Sequence, residues 1–418
     1  MTVLNDPGQA DRQSRGIPVV PVFDGYRALA ILGIVIFHLL PAGPSPDSWV
    51  KLQNATFGQL IDVLFIVSGF VVFLPTAWQG RFGSVRSYAV RRAARLLPAY
   101  YMILLLALLI GLIGKPLSPT IHPSASEIAL HFTGLQTLGT YFENTFGPVG
   151  FAMVGPVWTL SVEISFYLIL PLVAMAFYRH PRIGLLIAAA IGAAWGWSGI
   201  HSQEIADWLG TTLNQEEIGR IARNSGLQFP FWIFSFALGM AGAKLYVRAV
   251  KDPDQDRVRR YAGRALVLGL VGLTIAAIGI YNTQVEQAHL LLLAEIARTK
   301  AWIMLLFSAS LATVMVAIAL GPVRLRWPFD NGPIRWLAEV SYGVYLSHAL
   351  LIWVAAWGFG FFFEETWLGL GAWLATIIPL SILYGYLSAR FLEQPIRRWA
   401  RKYGREPASP AASGEPET

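Results

Sequence analysis

Residues 57–79 read FGQLIDVLFIVSGFVVFLPTAWQ, a run of 23 residues whose one ionisable side chain is Asp62. A helix rises about 1.5 Å per residue, so this stretch is long enough to cross a hydrocarbon core about 30 Å thick. Nine further stretches of the same character lie near 22–42, 96–114, 157–178, 183–200, 227–247, 263–281, 300–320, 335–358 and 367–389. The pattern predicts an all-α, polytopic protein of about ten transmembrane helices in the cell membrane. Composition agrees: 55% of the 418 residues are apolar and 14% are charged, against about 25% charged in an average soluble domain. With a mean hydropathy of +0.51, the chain has too little charge to cover a soluble globule of its size. The absence of cysteine excludes thiolate-held zinc and iron–sulfur sites, disulfide scaffolds and cysteine nucleophiles. No metal site is expected.

The pI near 9.6 and the net charge of +7 raise the question of nucleic acid, and the placement of the basic residues answers it. With an even number of spans and the N-terminus inside, 25 of the 32 lysines and arginines fall on inner segments. Six fall outside (Lys51, Lys115, Arg220, Arg223, Arg298 and Lys300), and Arg27 lies within the first span. By the positive-inside rule both termini are cytosolic. Basic residues that alternate with spans form no single patch, so the bilayer and not a nucleic acid is the expected partner. The expected organisation is a polar cytosolic arm over 1–21, a membrane domain over 22–398 and a cytosolic tail over 399–418. The tail's Pro/Ala/Ser/Glu-rich end, from Gly404, reads as disordered. In the longest outer loop, 115–156, Ser124-Ala125-Ser126-Glu127 has the capping-box pattern that opens a short helix.

Ionisable side chains inside spans cost about 2.5–3.5 kcal/mol each on insertion scales, so each is a candidate for function. Here they are Arg27, His38, Asp62, Glu163, Glu339 and His348. His38 follows Arg27 by eleven residues, about 16 Å along the helix and about 20° around it, so the two share a face at different depths. Counted from the span ends, His38, Asp62, Glu163 and His348 fall at similar height on four helices. Glu339 sits low in its span, where water or a basic loop meets it. His348 fits an interhelical hydrogen-bonding group or a catalytic one, and Asp62 a structural ion pair or cap. His38 suits proton transfer, with the Glu163 carboxylate to orient and charge-stabilise it. The same groups would serve a proton-coupled transporter or flippase for a lipid-linked or anionic substrate. Against that reading, no inverted repeat and no matching pair of Gly/Pro-interrupted spans is visible.

A second constellation lies on the cytosolic side. In SVRSYAVRRAARLLPAYY, Arg91 and Arg95 share a helix face with Arg92 beside them, and Pro98 falls where the chain enters the third span. Such a cluster holds anionic lipid head groups or, through guanidinium forks, a phosphate-rich cytosolic ligand.

These segments resemble the acyltransferase-3 family of integral membrane proteins. FDGYRALAILGIVIFH has its Arg-x10-His spacing, and IDVLFIVSGF its Asp…Ser-Gly-Phe segment. RRAARLLPAY resembles its basic stretch, and GPVWTLSVEISFYLILP its Trp-x-Leu-Ser-x-Glu segment, with Trp158 and Ser161 as structural motif positions. VSYGVYLSH and FLEQPIRR, the latter with Glu393 as a further structural motif position, resemble its last two motifs. The six occur in the family's order. Departures are Ala338, where glycine is usual, and Val63-Leu64 after Asp62. Some relatives continue into an extracytoplasmic hydrolase-like domain. About 25 residues follow Glu393 here, so this chain is expected to lack that domain and to complete the transfer itself or hand its product to a partner.

The resemblance implies transfer of an acyl group, often acetyl, from acyl-CoA to a hydroxyl of a carbohydrate, glycolipid or glycosylated metabolite. Acyl-CoA is then a co-substrate, and no bound cofactor is expected. Arg27, His38 and Glu163 carry over as the family's arginine, histidine and carboxylate, and Ser68 as its serine. Coenzyme A phosphates would meet Arg91, Arg92 and Arg95, with Arg27 at the mouth. His38 would take the acceptor's proton and Glu163 would steady the imidazolium. Ser68, Tyr345 or His348 would donate to the oxyanion, with Asp62 in support. An acyl-enzyme on His38 or Ser68 is the mechanistic rival, marked by ping-pong kinetics.

Overall fold

The computed structural model describes residues 16–44, 46–113, 124–139, 154–285, 292–358 and 366–403. Most of the expected N-terminal arm, the tail from 404 and parts of the 115–156 loop lie outside the described residues. Among them, ten helices are long and apolar enough to cross a membrane, one for each predicted span. They are α1 (Pro21–Leu39), α2 (Leu60–Gln79), α3 (Val85–Ile113), α4 (Trp158–Arg179) and α5 (Pro181–Ile200). The second five are α6 (Phe229–Val250), α7 (Gln255–Val285), α8 (Leu292–Leu320), α9 (Gly332–Trp353) and α10 (Trp367–Ser388). The protein is a multi-pass membrane protein. Leu172, Leu186 and Leu268 are 82%, 71% and 71% exposed, a surface suited to acyl chains and not to water.

Local chemistry sets the helix ends. Pro21 opens α1, where a missing N–H costs nothing, and Gly80 closes α2 at φ +71°, a conformation that favours glycine. Asn331 and Thr366 accept the backbone N–H of Ile334 and Gly369, each at 3.1 Å, capping α9 and α10. Ser124 Oγ accepts from Glu127 N at 3.1 Å and opens a short helix over Ala125–Thr133, as its pattern predicted.

Two boundaries differ from expectation. The third span is the apolar part of a helix that starts at Val85 and runs through Pro98, so the arginine cluster is helical. Hydropathy finds only the lipid-facing part of such a helix. Residues 85–95 are rich in alanine and arginine, both good helix formers, and Pro98 removes one hydrogen bond from a helix supported on both sides. Likewise α10 continues through a wide π turn, Ala389–Glu393, into a helix over Gln394–Tyr403 that packs on α3.

Two packings place the site. Helices α1 and α9 run parallel. Arg27 donates to the Ala338 carbonyl at 3.3 Å, and eleven residues later His38 meets His348, ten residues beyond Ala338. Helix α2 lies directly on α6, where a Cβ on Gly69 would overlap the Phe236 carbonyl and one on Gly239 the Ile66 carbonyl. Gly69→Ala is therefore expected to lower stability by about 1–3 kcal/mol, the usual cost of overpacking. Gly263→Ala on α7, where a Cβ would meet nothing within 4 Å, is expected to leave stability unchanged or raise it slightly. Thermal unfolding of the two variants in detergent tests the difference.

Candidate active site

Five helices enclose a cavity of about 590 Å³, counted with its open mouth. Helix α1 contributes Arg27 and Ile31, α2 residues from Leu64 to Val72 including Ser68, α3 Arg95, α4 Thr159, Leu160, Glu163 and Tyr167, and α9 Tyr342 and Tyr345. Because α1, α3 and α9 run opposite to α2 and α4, the arginines lie at one end and Thr159 and Tyr345 at the other. Leu64 to Val72 spans eight residues, so the cavity runs about 12 Å along the helices.

In its middle, Glu163 Oε1 accepts from Ser68 Oγ at 2.8 Å and from the Tyr167 hydroxyl, which lies 3.3 Å from Ser68 Oγ. Tyr167 is one helical turn beyond Glu163 and belongs to the site, although it is not among the candidate residues that the sequence singles out. The i,i+4 spacing from an intramembrane carboxylate was the available signal. At the far end the Tyr345 hydroxyl donates to the Pro156 carbonyl at 2.8 Å and meets Thr159 Oγ1 at 2.8 Å. The hydrogens of Ser68 and Tyr345 are thus committed to Glu163 and Pro156, so in this arrangement neither is a free oxyanion donor.

His38 and His348 stand one turn beyond Tyr345. His348 is fully buried, with Nε2 3.2 Å from His38 Nδ1 and Nδ1 2.5 Å from the Tyr345 carbonyl, while His38 is exposed. That Nδ1 position removes His348 from the oxyanion donors as well. The expected pairing of His38 with Glu163 is not formed. Thr159 is level with Tyr345, and Glu163 lies four residues below Thr159. The carboxylate is therefore about 10 Å nearer the arginine end than the histidines. The two histidines do share a height, as expected, and Glu163 does not.

At the other end the arginines separate. Arg27, at the cavity wall, also pairs with Asp24 at 3.2 Å. Arg95 lines the cavity, and Arg92 lies over the Tyr167 ring at 5.7 Å from its centroid. Arg92 Nε and Nη1 are buried with no hydrogen-bond partner among the described residues. Arg91 turns back to Ser87 on its own helix and is not part of the wall. Of Arg91, Arg92 and Arg95, Arg95 alone is in the wall, and Arg92, three residues before it, reaches the wall through the Tyr167 ring. Glu393 is buried between Arg397 Nη2 (2.6 Å) and Ser388 Oγ (3.0 Å), within electrostatic reach of Arg95 and Arg27, which makes it a structural counter-charge.

Asp62 is outside the site. It is wholly buried among α2, α6 and α8, where its Oδ1 accepts from Ser235 Oγ at 2.5 Å and Ser308 Oγ at 2.8 Å. Two serine hydroxyls hold it, not the ion pair or cap expected. Trp158 packs edge-on to Phe65 and beside Trp232, with ring centroids 6.4 and 6.1 Å apart, and Ser161 is buried. Both support the start of α4, and Glu339 is half-buried near the base of α9.

Residues 20–386 match the acyltransferase domain that defines the acyltransferase-3 family. The chain belongs to this family. It is 25% identical over 392 residues to the peptidoglycan O-acetyltransferase OatA of Listeria monocytogenes, an alignment covering 91% of this chain and 56% of that protein. It is also 25% identical over 400 residues to nodulation protein 10 of Rhizobium leguminosarum, covering 89% and 92%. The O-acetyltransferase OatA of Staphylococcus aureus is 26% identical over 164 residues, 38% of this chain and 25% of that protein. The chain thus spans about half the length of the first of these relatives. No solved structure matches.

Proposed function

We propose that this acyltransferase-3 family member moves a short acyl group, acetyl in the first instance, from acyl-CoA to a hydroxyl of a carbohydrate, glycolipid or glycosylated metabolite. One observation carries the reading: a membrane-embedded cavity has guanidinium groups at one end and a histidine pair one turn beyond the other. Arginines suit the anionic phosphates of coenzyme A, and an imidazole suits removal of a hydroxyl proton. The names of the OatA relatives support O-acetylation, and that of the Listeria protein supports peptidoglycan, a glycan polymer, as a precedent for the acceptor.

With the basic segments facing the cytosol, the phosphates bind by Arg27, Arg92 and Arg95, and the pantetheine arm runs past Ser68 and Glu163 toward Thr159 and Tyr345. Glu163 fixes Ser68 and Tyr167 in the wall that guides the arm. The acceptor enters from the histidine side. Its oxygen attacks the thioester carbonyl as His38 takes its proton. The carbon–sulfur bond then breaks and the thiolate recovers the proton, giving ester and free coenzyme A thiol. The acyl group crosses the membrane interior while coenzyme A stays on the arginine side.

The test is coenzyme A thiol release by the purified protein in nanodiscs, with acetyl-CoA and a panel of glycans and glycosides, together with the mass of the acceptor. Acceptor-dependent thiol release with an acetyl-sized mass gain is expected. A protein that transports its substrate unmodified would release no thiol with any acceptor while moving labelled substrate across vesicles. That result would overturn the reading.

A further inference from the structure

The partner of His38 is another histidine, and the hydrogen bonds around the pair decide where each proton sits. His348 is fully buried, and its Nδ1 lies 2.5 Å from the Tyr345 carbonyl. A carbonyl oxygen only accepts, so Nδ1 of His348 carries the hydrogen. A neutral imidazole has one N–H, so His348 presents a lone pair at Nε2. That atom faces His38 Nδ1 at 3.2 Å, which must therefore be the donor. The Ile34 carbonyl also bonds to the His38 ring from the preceding turn. Nδ1 is the ring nitrogen nearer its own backbone, so this contact also places the hydrogen on Nδ1, where the carbonyl and His348 Nε2 share it. Among the described residues no carboxylate pairs with either ring, and a buried imidazolium at His348 would lack a counter-charge.

We propose that His348 is a positioning residue for His38. As a buried neutral acceptor, it holds His38 in the Nδ1–H form and leaves the lone pair on His38 Nε2, the nitrogen away from His348. When Nε2 takes the acceptor's proton, the charge spreads over the ring. The Nδ1–H···Nε2 bond to His348 then becomes charge-assisted and stronger. An interaction that strengthens only as charge develops acts on turnover and not on donor binding. The usual orienting carboxylate is replaced by a neutral ring fixed by a main-chain carbonyl of its own helix. This arrangement orients the base without placing a second charge at that depth.

The inference rests on the reading of His38 as the base, and the full-length protein in nanodiscs tests it with acetyl-CoA and an accepted glycoside. His348→Ala is expected to lower kcat about 10²-fold with the KM for acetyl-CoA unchanged. His348→Gln, whose amide oxygen can accept from His38 Nδ1, is expected to recover tenfold or more of that loss. His348→Leu keeps side-chain volume without an acceptor and replaces the alanine variant if that one does not fold. Equal kcat in the glutamine and apolar variants would overturn the proposal, as would a loss confined to KM or wild-type turnover without His348. Transfer that survives His38→Ala would instead remove the base reading itself. Abolition by His38→Ala beside normal turnover in His348→Ala would remove only the role of His348.

Discussion

His38→Ala is expected to cut acceptor-dependent thiol release by about 10³-fold, within the range that a positioned general base contributes. His38 is exposed, and its removal leaves no cavity among the fully buried side chains of α1. The change should therefore leave folding intact. His348, wholly buried, would lose its ring partner but keep its bond to the Tyr345 carbonyl. Acetyl-CoA binds at the opposite end in the proposed mode, so its KM should stay near the wild-type value while kcat collapses. The measurement is a steady-state titration of both substrates, with size-exclusion elution and melting temperature as the folding check. If His38→Ala retained more than about a tenth of wild-type turnover, the group taking the acceptor's proton would have to be sought elsewhere. Glu163 is then the first alternative, because it already accepts a hydrogen bond from Ser68.

The chain reveals some of this geometry because helices make depth a matter of counting. Ten apolar runs became ten helices, and counting residues from span ends placed His38 and His348 at one height. The same counting failed for Glu163. The fourth span is entered through a 3-10 turn over Gly155–Val157, and hydropathy does not report where helical rise begins or how a helix tilts. Arg91 and Arg92 lie four and three residues before Arg95, and both spacings share a helix face. The neighbours decided between them: Tyr167 receives Arg92, and Ser87 holds Arg91. Asp62 was legible as a buried carboxyl, but its partners are serines 173 and 246 residues away, embedded in apolar runs without a signal of their own. The motif resemblance selected the chemistry, and only packing could say which of its polar groups touch.

Arg92 offers the sharpest separation of binding from stability. Its Nε and Nη1 are buried without acceptors among the described residues, and each unmet donor costs about 1–3 kcal/mol. The stacking of the guanidinium on Tyr167, 5.7 Å from the centroid, returns about 0.5–2 kcal/mol. Without ligand, Arg92→Gln should therefore leave the melting temperature unchanged or raise it. With acetyl-CoA, the sign reverses. Phosphate oxygens would satisfy those donors through charge-assisted bonds worth about 1.5–3 kcal/mol each, so losing two of them should raise the KM for acetyl-CoA about 10²- to 10⁴-fold. The rise in melting temperature that acetyl-CoA gives the wild type should shrink accordingly. Acetyl-pantetheine, which has the thioester arm and no phosphate, should be used equally by both forms. A melting temperature lowered in the free variant, with both donors impaired alike, would make Arg92 a structural cation. An unchanged KM for acetyl-CoA would move the phosphates away from α3. The combination of a steadier free protein and a selectively lost donor is what a guanidinium held ready for an anion should produce.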